Sequence, residues 1–466
     1  HLLLAATPAA HGHSPPELWV TGLFGALLVG LIVCLALEEK LHAKKSLIAG
    51  LFAVASLLLG SAFGLLPFGP VINTFGEPIR IPVFIPAVDW GVIAIILGSS
   101  VFVDATSRTG LFTWIAIKLT KASGGDPLKL LWFYGGMTVT FSAVLNNVTA
   151  MIIVGSLTVV SLERLGLRRK LFGFLLLEAL LTNVGGLLTL ISSVPNIIVG
   201  TAAGISFGKF FLVSAPFVVV ATVGTLILGA RQFGIRRLAD EEARKKAALE
   251  VAGFDEHDGI ESRGFFFFGA VMTLAFIVTI ACTSVLPWIS DLEMGFVALA
   301  FAAVMLLRFK SEVDTFYKEV DWDLLGFFAA LFVVINVMEH VHVLAILGQG
   351  LEAMVGVGEV AGTGLLLVAT AGFSSVTDNI PLAAMLAKNL GGMETPTDSA
   401  LWWSVVFGAN LGGNITPIGS ASTLVAVTIV HKHKLQLSFL GFVKVAAPYA
   451  LVQLALATVY VLLFLR

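Results

Sequence analysis

Apolar stretches of about 20 residues, the length of helix that crosses a hydrocarbon layer, fall at 18–37, 47–68, 86–104, 209–230, 264–286, 292–308, 324–345 and 437–465. Each predicts a membrane-spanning helix. Between them lie segments that are equally apolar at both ends but interrupted in the middle by Asn, Gly, Ser, Thr and Pro, at 129–162, 171–202, 361–390 and 401–430. An unpaired backbone amide or carbonyl is costly in hydrocarbon, so an interrupted helix is tolerated only where protein or a water-filled cavity surrounds it. The interruptions therefore mark where chemistry is expected.

They also occur twice. Phe141-Ser142-Ala143-Val144-Leu145-Asn146-Asn147-Val148-Thr149 returns 232 positions later as Phe373-Ser374-Ser375-Val376-Thr377-Asp378-Asn379-Ile380-Pro381, and Val88-Asp89-Trp90 returns at the same offset as Val320-Asp321-Trp322. Asn183-Val184-Gly185-Gly186 returns 227 positions later as Asn410-Leu411-Gly412-Gly413. Matching polar interruptions in two halves of an apolar chain are the best sequence pointer to a transporter's binding site.

Lys and Arg collect at 40–45, 164–170, 231–246, 308–310 and 431–434, which the positive-inside tendency assigns to the cytoplasm. Tracing the spans through these anchors makes 129–162 and 361–390 re-entrant hairpins and 171–202 and 401–430 broken crossings. The first copy then contains an odd number of net crossings, so the second is inverted. The expected fold is an all-α polytopic membrane protein with two inverted repeats, 18–230 and 264–466, after a tail at 1–17 and around a charged cytoplasmic linker at 231–263. Both termini are expected outside, in a prokaryotic inner (plasma) membrane. Leu2–Ala6 and Pro8-Ala9-Ala10 read as the tail of a signal-peptide-like segment, and the linker, with a helix over about 237–251, reads as a solvated tether.

Composition changes the picture only by exclusion. With 57% hydrophobic and 12% charged residues, the chain belongs in a bilayer. A formal net charge of −2 gives no footprint for nucleic acid. Cys34 and Cys282 lie within apolar runs as small hydrophobes, and neither a cofactor nor a structural metal site is expected. Glu339-His340-Val341-His342 lacks the spacing of a zinc hydrolase helix, and no nucleotide-binding loop is present, so an enzyme is not expected.

Neutral oxygens and amides at a helix break can replace an ion's hydration shell. In the first copy these are Asn146, Asn147, Thr149, Thr182, Asn183, Ser193 and Asn196, and in the second Thr377, Asn379, Asn410, Asn414, Thr416, Ser420 and Thr423. Gly185, Gly186, Gly412 and Gly413 supply close approach, while Pro195, Pro381 and Pro417 end helices and free carbonyls. Asp378 stands at the second tip where the first has Asn146, and there it can neutralise a cation or exchange it for a proton. Glu178, four residues before Thr182 on the same helical face, Asp104 and Glu339 are the other proton-coupling candidates.

Leu145-Asn146-Asn147-Val148-Thr149, Thr182-Asn183-Val184-Gly185-Gly186, Thr377-Asp378-Asn379-Ile380-Pro381 and Gly412-Gly413-Asn414-Ile415-Thr416-Pro417-Ile418-Gly419-Ser420 together resemble the ion transporter superfamily. Within it the chain is similar to the branch of arsenite-efflux permeases, NhaD-type sodium/proton antiporters and the P protein, with divalent-anion/sodium symporters more distant. It departs from the antiporter pattern at Asn146, where an Asp is usual, and from the P-protein pattern at Ser192–Asn196, which lacks an acidic residue. The resemblance implies a homodimer with scaffold and transport parts, elevator-type access and a bound sodium ion, hence secondary active sodium/proton antiport. Arsenite efflux, or movement of another oxyanion or a carboxylate, is the alternative.

Overall fold

The computed structural model describes residues 16–465, apart from 69, 73, 74, 146, 258, 378 and 436. The signal-peptide-like segment and the tip residues Asn146 and Asp378 thus lie outside the described residues. The rest is almost wholly helical, with one small antiparallel pair, β1 (Val71–Ile72) and β2 (Pro78–Ile79). Eight described helices are long and apolar enough to cross a membrane.

The helices in chain order are α1 (Leu18–Ala36), α2 (Glu38–Leu41), α3 (Lys45–Ala62), α4 (Trp90–Arg108), α5 (Leu111–Ser123), α6 (Pro127–Val144), α7 (Asn147–Arg164), α8 (Leu171–Gly185), α9 (Val194–Ala203) and α10 (Phe207–Gln232). After α11 (Glu241–Ala252) come α12 (Arg263–Cys282), α13 (Glu293–Arg308), α14 (Val313–Glu319), α15 (Trp322–His340), α16 (Val343–Val355), α17 (Glu359–Ser374), α18 (Asn379–Gly392), α19 (Ala400–Gly412), α20 (Ala421–Lys432) and α21 (Phe439–Phe464). The duplication now extends beyond the motifs. α4 and α15, α5 and α16, and α10 and α21 correspond at both ends with the offset of 232 residues. α10 and α21 each carry an internal proline at the same place, Pro216 and Pro448, and begin at equivalent serine caps. Ser206 accepts from the Lys209 amide and Ser438 from the Gly441 amide, each satisfying a donor that the first helical turn leaves open. Where the offset falls to 227, across α8–α9 and α19–α20, the missing residues come out of the helices, α18 and α19 having 14 and 13 residues against 18 and 15 in α7 and α8, not out of the breaks.

The expected span 324–345 is corrected in one respect: α15 stops at His340, and His342 takes a positive φ of 62° before α16 starts. α16 is the copy of α5, so each half contains a short helix between its third long helix and its interrupted hairpin.

The chain divides into two compact units. The first, up to Trp90 together with 321–353, packs α1 and α3 against α15. Ser46 Oγ donates to Asp323 Oδ1 at 2.5 Å, and Thr21 Oγ1 donates to the Val341 carbonyl at 3.2 Å. The second unit holds 91–320 and 354–466 and contains both pairs of interrupted segments. In it α4 takes α12 and α13 as neighbours, through Phe102, Phe276 and Phe301 and through Gly98 against Ala298. The copies have therefore exchanged helices: α15 of the second half packs with α3 of the first, and α4 of the first with α13 of the second.

The linker is not a solvated tether. Val251 and Phe254 bury themselves against Ile117 of α5, with Leu165 alongside, and the Arg164 guanidinium lies 4.3 Å from the centre of the Phe254 ring. Asp126 caps α6 with one carboxylate oxygen and accepts the Leu238 amide with the other at 3.0 Å. Lys118, at 2.8 Å, and Lys121 both donate to Glu256 and hold its carboxyl well below the usual range, at about 2. Because the folded value is depressed, this clamp contributes stability above the ordinary carboxylate range, from about 4.5 upward, and loses it as pH falls toward about 2. Acidification is expected to lower the protection of the 238–256 amides relative to their intrinsic exchange rates, and Glu256→Gln to lower it already at neutral pH; hydrogen–deuterium exchange corrected for the intrinsic rate checks both.

Candidate functional site

The candidate site lies in the second unit, where two helix–turn–helix pairs meet two broken helices. α6 and α7 pack against each other across residues 145–146, and α17 and α18 across 375–378. α8 stops at Gly185 and α9 restarts at Val194; α19 stops at Gly412 and α20 restarts at Ala421. Within each half the first hairpin arm packs on the first half-helix, α6 on α8 and α17 on α19. Between halves the packing is reciprocal, α7 on α20 and α18 on α9, as a two-fold relation between copies produces.

Glycine sets how closely the arms approach. A Cβ at Gly185 would stand 2.7 Å from the backbone of Val139, and one at Gly412 2.4 Å from the carbonyl oxygen of Ala371, the copy of Val139. That proximity lets the same hydrogen bonds form twice. The Ser142 hydroxyl lies 2.6 Å from the Thr182 carbonyl, and its copy Ser374 donates to the Ala409 carbonyl at 2.6 Å. Thr189 Oγ1 donates to the Ala143 carbonyl and Thr416 Oγ1 to the Ser375 carbonyl, each at 2.5 Å. These four hydroxyls satisfy carbonyls that the breaks and turns leave exposed, which is why the unwound backbone is tolerated at this depth.

Inside this frame the side-chain amides join the halves. Asn183 Nδ2 donates to Asn414 Oδ1 at 2.8 Å and Ser420 Oγ at 2.9 Å, while its Oδ1 accepts from Asn147 Nδ2 at 3.3 Å and Ser422 Oγ at 3.2 Å. Both donors and both acceptor positions of that one amide are used. Its copy Asn410 donates to Asn196 Oδ1 at 2.8 Å, and Asn196 Nδ2 in turn donates to the carbonyls of Gly186 and Thr189. Asn183, Asn196, Asn410 and Asn414 are all buried. No Lys, Arg or His takes part in these hydrogen bonds among the described residues, so the network is built from neutral dipoles.

The remaining sequence candidates distribute unevenly. Ser420 caps α20 by accepting from the Thr423 amide, while Ser193 precedes α9 without a side-chain capping bond and Pro195 stands in the first turn of α9; Thr423 Oγ1 donates to the Ser420 and Pro417 carbonyls. A Cβ at Gly186 would stand 2.9 Å from Asn147 Oδ1, and one at Gly413 2.9 Å from the Gly419 carbonyl. Asn379 Nδ2 reaches the Ala409 carbonyl at 3.5 Å, Pro381 is buried in the first turn of α18, and Thr377 bonds only back to Phe373. Thr149 is half-buried in the first turn of α7, and Thr182 Oγ1 bonds back to the Ala179 carbonyl. Glu178 is buried on α8 and accepts from Thr158 Oγ1 at 2.6 Å. Asp104 lies half-buried on α4, outside the amide network, and Glu339 is exposed on α15 in the first unit.

Several polar groups of the site were not picked out by sequence reasoning. Ser142 and Ser374 stand within the duplicated motif, and their recurrence at the offset of 232 was the available signal. Gln453, the one amide side chain in α21, accepts from Asn414 Nδ2 at 2.8 Å and donates to Thr225 Oγ1 on α10 at 2.9 Å. It extends the network to both flanking long helices, and its buried position in an apolar span pointed to it.

Comparison with known proteins places the chain among transporters. The sequence profile of the family described as CitMHS, citrate transporter, matches residues 32–406. The chain is 31% identical over 382 residues to an uncharacterized transporter of Mycobacterium bovis, covering 80% of this chain and 86% of that protein. It is 23% identical over 525 residues to the P protein of Mus musculus, covering 95% of this chain and 62% of that protein. Among solved structures, the YdaH transporter of Alcanivorax borkumensis matches with a TM-score of 0.54 at 15% identity, over 90% of this chain and 97% of that chain, so the two share a fold. With a family profile over residues 32–406 and a relative 31% identical over most of both chains, the chain belongs to the CitMHS citrate transporter family and is an integral membrane transporter.

Proposed function

We propose that this protein exchanges sodium ions for protons, with the ion held where the two broken helices and the two hairpin tips meet. The observation that carries the reading is the Asn147–Asn183–Asn414–Ser420 network, which bridges both copies with amide and hydroxyl oxygens and no cationic partner. Oxygen dipoles of this kind replace a small cation's water, and helix C-terminal carbonyls at Gly185 and Gly412 add to them. Asp378, next in sequence to Asn379, supplies the one carboxylate at the duplicated tips and carries the exchangeable proton. Alternating access moves the paired hairpins and broken helices as one body, elevator-fashion, in a homodimer of the plasma membrane with both termini outside.

A carboxylate substrate is the second reading, favoured by the description of the family as citrate transporters. Helix N-termini at α7 and α18 would face the anion, yet a polyanion also calls for positive side chains, which this network lacks. Flux decides between them. In proteoliposomes, an imposed sodium gradient is expected to drive proton movement that Asp378→Asn abolishes. Sodium-independent uptake of citrate or arsenite, with no proton movement on a sodium gradient, overturns the antiport reading.

A further inference from the structure

One buried cluster is used neither by the amide network nor by the duplicated frame. Glu178, 1% exposed on α8, accepts from Thr158 Oγ1 on α7 with one carboxylate oxygen, while the other, Oε2, has no hydrogen-bond partner. One turn further along α7, Ser161 accepts from the Tyr134 hydroxyl at 2.7 Å, and that hydroxyl lies 2.7 Å from Thr120 Oγ1 on α5. Ser123 donates to the Thr120 backbone carbonyl at 2.6 Å, beside the turn that leads into α6.

The second copy shows what the fold itself asks for at these places. At the offsets of the duplicated segments, Glu178, Thr158 and Tyr134 correspond to Val405, Leu390 and Leu366, which are 0%, 0% and 1% exposed. Close packing is thus achieved with hydrophobes, and the fold does not require the acid, its hydroxyl donor or the phenol. A carboxyl group buried in lipid-embedded protein without a cationic partner is costly when ionised, and such groups mark proton and ion paths. Among the described residues no cation pairs with it: Lys129, Arg164, Lys209, Arg231, His431, Lys432 and Lys444, on the helices packed around α8, are all exposed, as are Arg168 and Arg169 before it, Lys170 donates to the Phe233 and Gly234 carbonyls, and α19 carries no charged residue.

We propose that Glu178 is a second proton-binding site, specific to the first copy and separate from the tip carboxylate, whose carboxyl group is held by the Thr158 hydroxyl. The site deepens the proton-coupling reading above, but its test does not depend on transport. Infrared difference spectroscopy of the full chain in nanodiscs across pH is expected to show a protonated-carboxyl carbonyl band that disappears in Glu178→Gln and persists in Asp378→Asn. Thr158→Val, which keeps the side chain's shape and removes its donor, is expected to move that band to higher frequency, and this covers the case in which Glu178→Gln does not fold. A band absent from the wild type, unchanged in Glu178→Gln or unmoved in Thr158→Val overturns the proposal. Absence of sodium/proton exchange with the band intact overturns only the antiport reading.

Discussion

Asn183→Asp is expected to silence transport while leaving the helices in place. The substitution preserves shape and volume but turns a group that donates twice and accepts twice into one that only accepts. Asn414 Oδ1 and Ser420 Oγ then lose their donor, and the new carboxylate faces Asn147 and Ser422 with a charge that no neighbouring cation offsets. Each orphaned buried partner costs about 1–3 kcal/mol, and each 1.4 kcal/mol is about tenfold in occupancy. Flux in proteoliposomes should fall at least about tenfold and ligand-dependent thermal stabilisation should vanish, with helical circular dichroism unchanged. Full flux through Asn183→Asp would mean that the amide network is structural glue and that ions pass elsewhere.

Gly412→Val should act through the frame instead. Even the first added carbon meets the Ala371 carbonyl oxygen at 2.4 Å and its Cα at 2.8 Å, and backbone of a packed hairpin arm cannot rotate away as a side chain can. Overpacking of this kind typically costs about 1–3 kcal/mol, and separating α17 from α19 also breaks the bond from Ser374 to the Ala409 carbonyl. Loss of thermal stability together with loss of transport is the expected outcome. Gly372→Ala, on the facing helix α17 but with nothing within 4 Å of the added carbon, is the control and should leave both unchanged or slightly improved. Equal behaviour of the two variants would refute the close-approach argument.

The breaks were legible from sequence because they oppose their surroundings. Asn183, Gly185, Asn410 and Gly412 interrupt runs that hydrocarbon would otherwise keep uniform, and their recurrence removed chance as an explanation. Asp104 and Glu339 have no acidic counterpart in the other copy, and their charge alone does not say what they touch. The linker was misread for the same reason. Its polar composition says that it meets water on one side, but not that Val251 and Phe254 find an apolar surface on α5 or that Lys118 and Lys121 close on Glu256.

What the sequence determined by itself is the class of molecule and the pairing of its halves, since hydropathy fixes the solvent and an offset of 232 residues is visible without coordinates. What only the tertiary structure decided is which polar groups touch. Asn183 meets Asn414 across 231 residues and Asn196 meets Asn410 across 214, contacts that depend on how α8, α9, α19 and α20 cross in space. Composition and spacing carry no information about that crossing: it is set by glycine-limited helix approach and by the reciprocal packing of α7 on α20 and α18 on α9.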